Sequence, residues 1–347
     1  MSGKGVVVAM SGGVDSSLAA ALLKQAGYDV LGVYMQLWPD PNLAPTLSDL
    51  ERTCQLLDIP FYRLDLEAEF QRHVIDYFCQ EYSQGRTPNP CIACNQYIKF
   101  DLLLDKAREM GAEYLATGHY ARIERSEDSY RLLKAADRSK DQSYFLYTLG
   151  QRQLRHLLFP LGELSKEKVK SLAAELGLPA TSRSDSQDVC FIPDNDYRSF
   201  IKERIPLKEG EIVDITGRVL GRHSGLAGYT VGQRHGLGLV LNQQLYVLRL
   251  EAGNNRLVVG TEEQLLQTGL VATELNWVSG KMAGERVNIM AKVRYKAPEV
   301  AAELHPSNGR AEVRFVKPQS AITPGQSVVF YQGDVVLGGG IIDAILY

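Results

Sequence analysis

Over the first two hundred residues, short apolar runs alternate with runs of helical spacing. Gly5–Met10 (GVVVAM) reads as a buried strand, and Val14–Ala26 as a helix that stops near Gly27. Val30–Leu37 and Phe61–Leu66 read as further strands, with a helix over Leu47–Leu57 between them. Residues 69–84 and 98–110 carry helical periodicity, Tyr114–Thr117 is a short strand, and Ala121–Ile123 begins another. Parallel strands need crossover connections, and helices serve as those crossovers, so this alternation predicts an α/β domain with a parallel sheet covered on both faces.

Past about residue 205 the helical period disappears. Short alternating runs separated by turn residues, such as Thr216–Gly217 and Gly253–Asn255, predict a small central β-rich domain over 205–268. From Leu270 the alternation becomes regular. Val287–Tyr295, Ala311–Phe315, Ser327–Tyr331 and Val335–Ile342 read as strands, with hairpin turns at Ser307–Gly309 and Gln332–Asp334. The expectation is a C-terminal β-barrel over 269–347, after an α/β domain over 1–204.

The 347-residue length agrees with several domains, since one core stops growing at about 250–300 residues. The net charge of -3 excludes a uniformly basic nucleic-acid wrapper, so any RNA contact must come from local patches. Arg122, Arg125, Arg131, Lys134, Arg138 and Lys140 form one such set, and Arg294, Lys296, Arg314 and Lys317 another. Acidic Glu124, Glu127, Asp128 and Asp137 are interleaved with the first set, as they are on an ordinary solvated surface. No run approaches the roughly 18 apolar residues of a membrane span, and the N-terminus lacks a leader pattern. Five cysteines, an odd number, point to reduced thiols. A cytoplasmic protein, monomeric when free, is expected.

Ser11–Ser17 (SGGVDSS) lies between a strand and a helix. Adjacent glycines allow a tight turn with inward amides, the helix N-terminus adds partial positive charge, and Ser16 and Ser17 add hydroxyls. The string lacks the Gly-Lys-Ser/Thr ending of a Walker A loop, which suits a pyrophosphate released in an adenylation step. Asp15 is the residue placed to hold Mg²⁺ against the phosphates.

Thr87–Phe100 reads TPNPCIACNQYIKF. The prolines predict an extended approach, which puts Cys94 on a loop just ahead of a helix, a setting that lowers a thiol pKa. Cys190 lies in SDSQDVCFI, where a buried strand cysteine is an equal reading. Cys54 and Cys79 fall on apolar helix faces and read as core. Sulfur transfer needs one thiol to carry a persulfide and a second to resolve it, which Cys94 and Cys190 can supply if the fold joins them. Cys91, Cys94 and Cys190 together could instead hold an iron–sulfur cluster or zinc. His119 follows Gly118 at a strand end and is a site candidate, or a hydrogen-bonded structural histidine. The glycine-rich turn Tyr229–Gly238 is either a flap over the site or a plain hairpin.

SGGVDSS resembles the loop of the pyrophosphate-loop, adenine nucleotide alpha-hydrolase-like enzymes. SGGVDSS, RTPNPCIACNQYIKF, ATGHYARI, KDQSYFLYTL, SDSQDVCFI and GYTVGQRHGLG occur in the order found in the tRNA-specific 2-thiouridylase family, and the resemblance covers nearly the whole chain. It implies ATP-dependent 2-thiolation of the wobble uridine of tRNAs for Lys, Glu and Gln, fed by an upstream persulfide carrier protein or cysteine desulfurase. It also implies Cys94 as nucleophile and Cys190 as persulfide bearer. ATP would be bound by Ala9, Met10, Ser11, Gly12, Gly13, Val14, Asp15 and Ser16, with Met35 and Gly118 beside the adenosine. His119, Lys140, Asp141, Gln142, Arg294, Tyr295 and Gln326 would contact tRNA. Some relatives carry Asp where this chain has Cys91, so no aspartate can shuttle a proton there. The competing readings are a small-molecule adenylating enzyme, which would not need the two thiols, and an RNA-binding protein with a vestigial ATP site.

Overall fold

The computed structural model describes residues 4–39, 43–126, 129–179, 189–192, 196–239, 244–282 and 284–346. Residues 184–188, Glu127 and Asp128, singled out above, lie outside the described residues.

Strand β1 (Gly5–Ala9) is buried on both faces, and its alternation divides two cores. Val6 and Val8 pack with Ala20 and Leu23 of helix α1 (Val14–Gln25) and with Leu50 and Cys54 of helix α2 (Leu43–Leu57). Val7 and Ala9 pack on the other face with Phe100, Leu103 and Ala107. Strands β2 (Asp29–Gln36), β3 (Phe61–Asp65), β4 (Tyr114–Ala116) and β7 (Leu157–Leu158) complete a parallel sheet in the order β3-β2-β1-β4-β7. From β1 the chain moves first to β2 on one side and later to β4 on the other. The crevice beyond the carboxyl ends of β1 and β4 is thus the topological switch point, where open α/β sheets take ligands.

Residues 90–109 are continuously helical: Pro90–Ala93 in α geometry, Cys94–Leu102 in π geometry and Leu103–Glu109 again in α. The helix thus starts eight residues before the periodic run at 98–110, through prolines that do not break it. Pro90 occupies the first turn, where its missing N–H goes unused, and Asn89 caps the helix by accepting from the Ile92 amide.

A second departure joins the domains. Strands β5 (Ala121–Arg125) and β6 (Tyr130–Lys134) form a hairpin that leaves the parallel sheet and pairs with β17 (Val335–Leu346) through Leu133 and Val335. Strands β12 (Leu266–Trp277), β13 (Val287–Lys292), β14 (Val300–Ser307), β15 (Arg310–Ser320) and β16 (Ser327–Gln332) run with β17 in the order β12-β15-β14-β13-β16-β17. Pairing of β12 with β17 closes these six strands into a barrel around Leu270, Leu304, Val313 and Phe330. Between the α/β unit and the barrel lies the separate sheet β10-β11-β8-β9, built from Gly210–Val213 (β8), Val219–His223 (β9), Tyr246–Glu251 (β10) and Arg256–Gly260 (β11).

Candidate active site

Strand β1 delivers Ser11–Ser17 into the switch-point crevice. Gly12 has φ +81, a left-handed conformation that favours glycine. Gly13 precedes α1 in extended conformation with no side chain capping the helix, so the first-turn amides are left for an anion. The serine hydroxyls are turned inward. Ser16 Oγ accepts from the Ser11 amide (3.2 Å) and donates to the Gly13 carbonyl (3.1 Å), and Ser17 Oγ donates to the same carbonyl. Backbone amides, rather than those hydroxyls, therefore form the cradle.

Gly118 follows β4 and seals the loop from the other side. A Cβ there would lie 2.9 Å from the carbonyl carbon of Asp15 and 2.9 Å from the amide nitrogen of Ser16. Met35, at the end of β2, is half-buried between two of the domain's cores.

Asp15 is already engaged. Lys166 Nζ lies 2.9 and 2.8 Å from its two carboxylate oxygens, and Tyr120 Oη donates to Oδ1 at 2.8 Å. A carboxylate holding a buried ammonium on both oxygens is a poor Mg²⁺ ligand, so the expected metal role of Asp15 does not fit this arrangement.

Cys94 is buried and lies inside the helical run, not on a loop before it. Burial pushes its thiol pKa up, with the charge of Lys99 opposing, which reverses the lowering expected from sequence. Cys190 is exposed, but the residues after it, Phe191 and Ile192, are buried in the same apolar cluster as Cys94, Phe70 and Phe78. That anchor brings the 189–192 segment against the Cys94 helix. Burial first, then the charges of Cys94 and Cys91, push the Cys190 thiol up to about 12, with Lys99 opposing. Solvent on the exposed side softens that shift. Cys91, half-buried, is raised by burial, opposed by Lys99 and reinforced by Cys94. Among the described residues no group of three His, Cys, Asp or Glu side chains is gathered as a metal would require. The three thiols are neighbours without forming a metal-ligand set, and an iron–sulfur cluster does not fit them as they stand.

Lys99 was not singled out by the sequence reading. It sits five positions after Cys94, a spacing that shares one face only in a π-helix. Its Nζ donates to Asn95 Oδ1 at 2.9 Å, and Asn95 Nδ2 donates to the Phe145 carbonyl at 3.1 Å. Its charge is felt by all three thiols and by His119. His119 packs against Phe100 and Phe159, its Nδ1 is 2.7 Å from Thr117 Oγ1, and burial first, then Lys99, holds its pKa well below 6.5. His119 adjoins Gly118, so the phosphate loop, the neutral imidazole and the thiols follow one another across the site.

Several residues expected to meet tRNA spend their polar atoms on the protein itself. Asp141 is buried and accepts from the amides of Ala135 and Ser143 and from Ser143 Oγ. Gln142 Oε1 accepts from the Tyr120 amide at 2.9 Å. Arg294 donates to the carbonyls of Val231 and Ala321 and to Thr323 Oγ1, tying the 229–238 turn to the barrel. Gln326 donates to the carbonyls of Thr87 and Pro88, on the segment that leads to Cys91 and Cys94. The Tyr295 ring packs tilted on Phe145 with centroids 4.3 Å apart, and Lys140 is half-buried. Of the basic patch, Arg122 and Arg138 pair with Asp334 and Lys134 with Glu299, all across to the barrel side, while Arg131 pairs with Glu124 and Arg314 with Glu312.

The family described as tRNA methyl transferase HUP domain matches residues 4–194. A tRNA methyl transferase PRC-barrel domain matches 198–261, and an aminomethyltransferase beta-barrel domain matches 267–342. The tRNA-specific 2-thiouridylase MnmA of Clostridium perfringens is 48% identical over 359 residues, covering 100% of both chains. The proteins of the same description from Moorella thermoacetica and Geobacter metallireducens are 48% and 49% identical, covering 98% and 99% of this chain and 99% and 98% of their own.

Proposed function

Because the chain belongs to the tRNA-specific 2-thiouridylase family, whose members are tRNA sulfurtransferases, we propose that it replaces the C2 oxygen of the wobble uridine with sulfur in tRNAs for Lys, Glu and Gln, at the expense of ATP. The observation that supports this reading best is the approach of the Cys190 segment to the Cys94 helix. A small-molecule adenylating enzyme has no use for that pairing.

The residues take these roles. Ala9–Ser16 cradle the ATP phosphates, with the uncapped first-turn amides of α1 facing them, while Met35 and Gly118 border the adenosine. The uridine C2 oxygen attacks the α-phosphorus, and pyrophosphate leaves. The resulting C2–O–AMP bond turns a poor leaving group into a good one. The terminal sulfur of a Cys190 persulfide attacks C2, and AMP departs. The Cys94 thiolate then attacks the Cys190 sulfur. This closes a Cys94–Cys190 disulfide and leaves the outer sulfur, now reduced, on C2. Two thiols are oxidised, the persulfide's sulfane sulfur is reduced, and an external dithiol restores the pair. His119, held neutral, sits where the base must enter and can hydrogen-bond it without repelling the cations around it. Since C2 is buried in the anticodon stack, the uridine leaves the stack to reach the site.

The sulfur enters from a persulfide carrier or cysteine desulfurase, and the exposed position of Cys190 suits that delivery. The domain limits 1–204, 205–268 and 269–347 are proposed to separate catalysis from tRNA gripping, with the barrel on the tRNA side. The described residues contain no helix long and apolar enough to cross a membrane; a cytoplasmic enzyme, monomeric when free, is proposed. Incubating the protein with tRNA, ATP and a persulfide donor should release pyrophosphate and form 2-thiouridine. Pyrophosphate release with a small acid or amide in place of tRNA would favour another adenylating activity.

A further inference from the structure

We propose that Cys91 is the second resolving thiol of the cycle: it attacks the Cys94–Cys190 disulfide at Cys94, moves the disulfide onto the Cys91–Cys94 pair and frees Cys190 for the next persulfide. The inference rests on the persulfide reading above and adds a step to it.

Geometry carries it. Cys91 and Cys94 stand three residues apart at the start of one helical run, and the Cys94 amide donates to both the Cys91 and the Pro90 carbonyls. Both residues keep α-helical backbone, and side chains three apart on an α turn are neighbours with Cβ atoms about 5–6 Å apart. A disulfide needs about 3.5–4.5 Å between Cβ atoms, so the distance to be closed is small. On the far side of Cys94 the helix widens into its π stretch, which lets the first turn adjust without moving residues 103–109.

Exposure sets the direction. Cys94 is buried, Cys91 half-buried and Cys190 exposed. Attack by Cys91 on Cys94 Sγ expels the Cys190 thiolate, which solvent reaches on its exposed side. A thiol one turn away also has a large effective concentration over a reductant in solution. The step balances: the Cys91–Cys94 S–S bond forms, the Cys94–Cys190 bond breaks, Cys91 gives up its proton to solvent and Cys190 gains one. No net oxidation or reduction of the protein occurs until an external dithiol reduces Cys91–Cys94 through the half-buried Cys91.

The test loads Cys190 of the full-length protein with persulfide, adds ATP and tRNA without reductant, and quenches with acid and alkylating agent for disulfide mapping. The wild type is expected to show Cys91–Cys94 linked and Cys190 alkylated. Cys91→Ser is expected to stop at Cys94–Cys190 after one round of 2-thiouridine, and to lose at least tenfold in steady-state rate at limiting dithiol. A wild type that retains Cys94–Cys190, a Cys91→Ser protein that cycles at the wild-type rate, or one that makes no 2-thiouridine in its first round while still binding ATP would each overturn the inference. If the wild type makes 2-thiouridine and no disulfide of either pairing forms, the persulfide reading itself fails, and the relay with it.

Discussion

Lys166 holds both carboxylate oxygens of Asp15, at 2.9 and 2.8 Å, across 151 residues of sequence. The ammonium is nearly inaccessible and the carboxylate less than a third exposed, so this is an internal pair at the base of the phosphate loop. Removing Asp15 deprives the buried Lys166 ammonium of the carboxylate it holds. Asp15→Ala is expected to cost about 3–5 kcal/mol of stability. Asp15→Ala with Lys166→Met should cost less than Asp15→Ala alone, because no charge is stranded. Calorimetric unfolding of the three proteins checks this; purely additive losses would show that the two residues do not act as a pair.

Gly118 leaves no room for a side chain against Asp15 and Ser16. Gly118→Ala must push the loop, and ATP affinity should fall at least tenfold, about 1.4 kcal/mol, with tRNA affinity close to that of the parent. Titration calorimetry with each ligand separates the two effects. Equal ATP binding would place the adenosine elsewhere.

The Gln326 bonds to Thr87 and Pro88 fix the barrel against the segment that carries the cysteines. The adjacent Gly325 is packed so that a Cβ would lie 2.8 Å from the Thr87 amide nitrogen. Gln326→Ala is expected to slow thiolation several-fold while leaving tRNA affinity within about twofold. A direct tRNA contact, as the resemblance implied, would instead appear as weaker binding with a smaller salt dependence.

Burial raises the pKa of Cys94 and pushes Cys190 up to about 12 and Cys54 up to about 11, from an ordinary 9.0. In the folded chain these thiols keep their protons at a pH where the unfolded chain has lost them. Stability is therefore intact below pH 9 and falls as pH rises above it. The alkylation rate of Cys94 should likewise keep climbing above pH 9 where a free thiol levels off. Lys99→Met removes the opposing cation and should move that profile to still higher pH, and Lys99→Arg should largely restore it.

The parallel sheet, the glycine turn between β1 and α1 and the barrel strands were legible in the chain because each follows a local rule: buried valines flanked by glycines, or alternation between turns. The approach of the Cys190 segment to the Cys94 helix was not legible, since the two lie far apart in the chain. The helix around Cys94 was masked by Pro90, whose place in the first turn depends on the Asn89 cap. Lys99 could be linked to Cys94 only through a π stretch, which no local periodicity announces. Lys166, the β5–β6 hairpin on the barrel, and the internal bonding of Asp141, Arg294 and Gln326 depend on contacts between distant segments. Arginines that resemble an RNA patch in sequence, such as Arg122 and Arg138, turn out to be spent on Asp334.

Nucleoside analysis of tRNA after reaction with ATP and a persulfide donor, run on the parent, Cys94→Ser and Cys190→Ser proteins, tests the pairing most directly. The expected result is 2-thiouridine from the parent and none from either variant, with ATP binding retained in both. Full 2-thiouridine from either serine variant would contradict it.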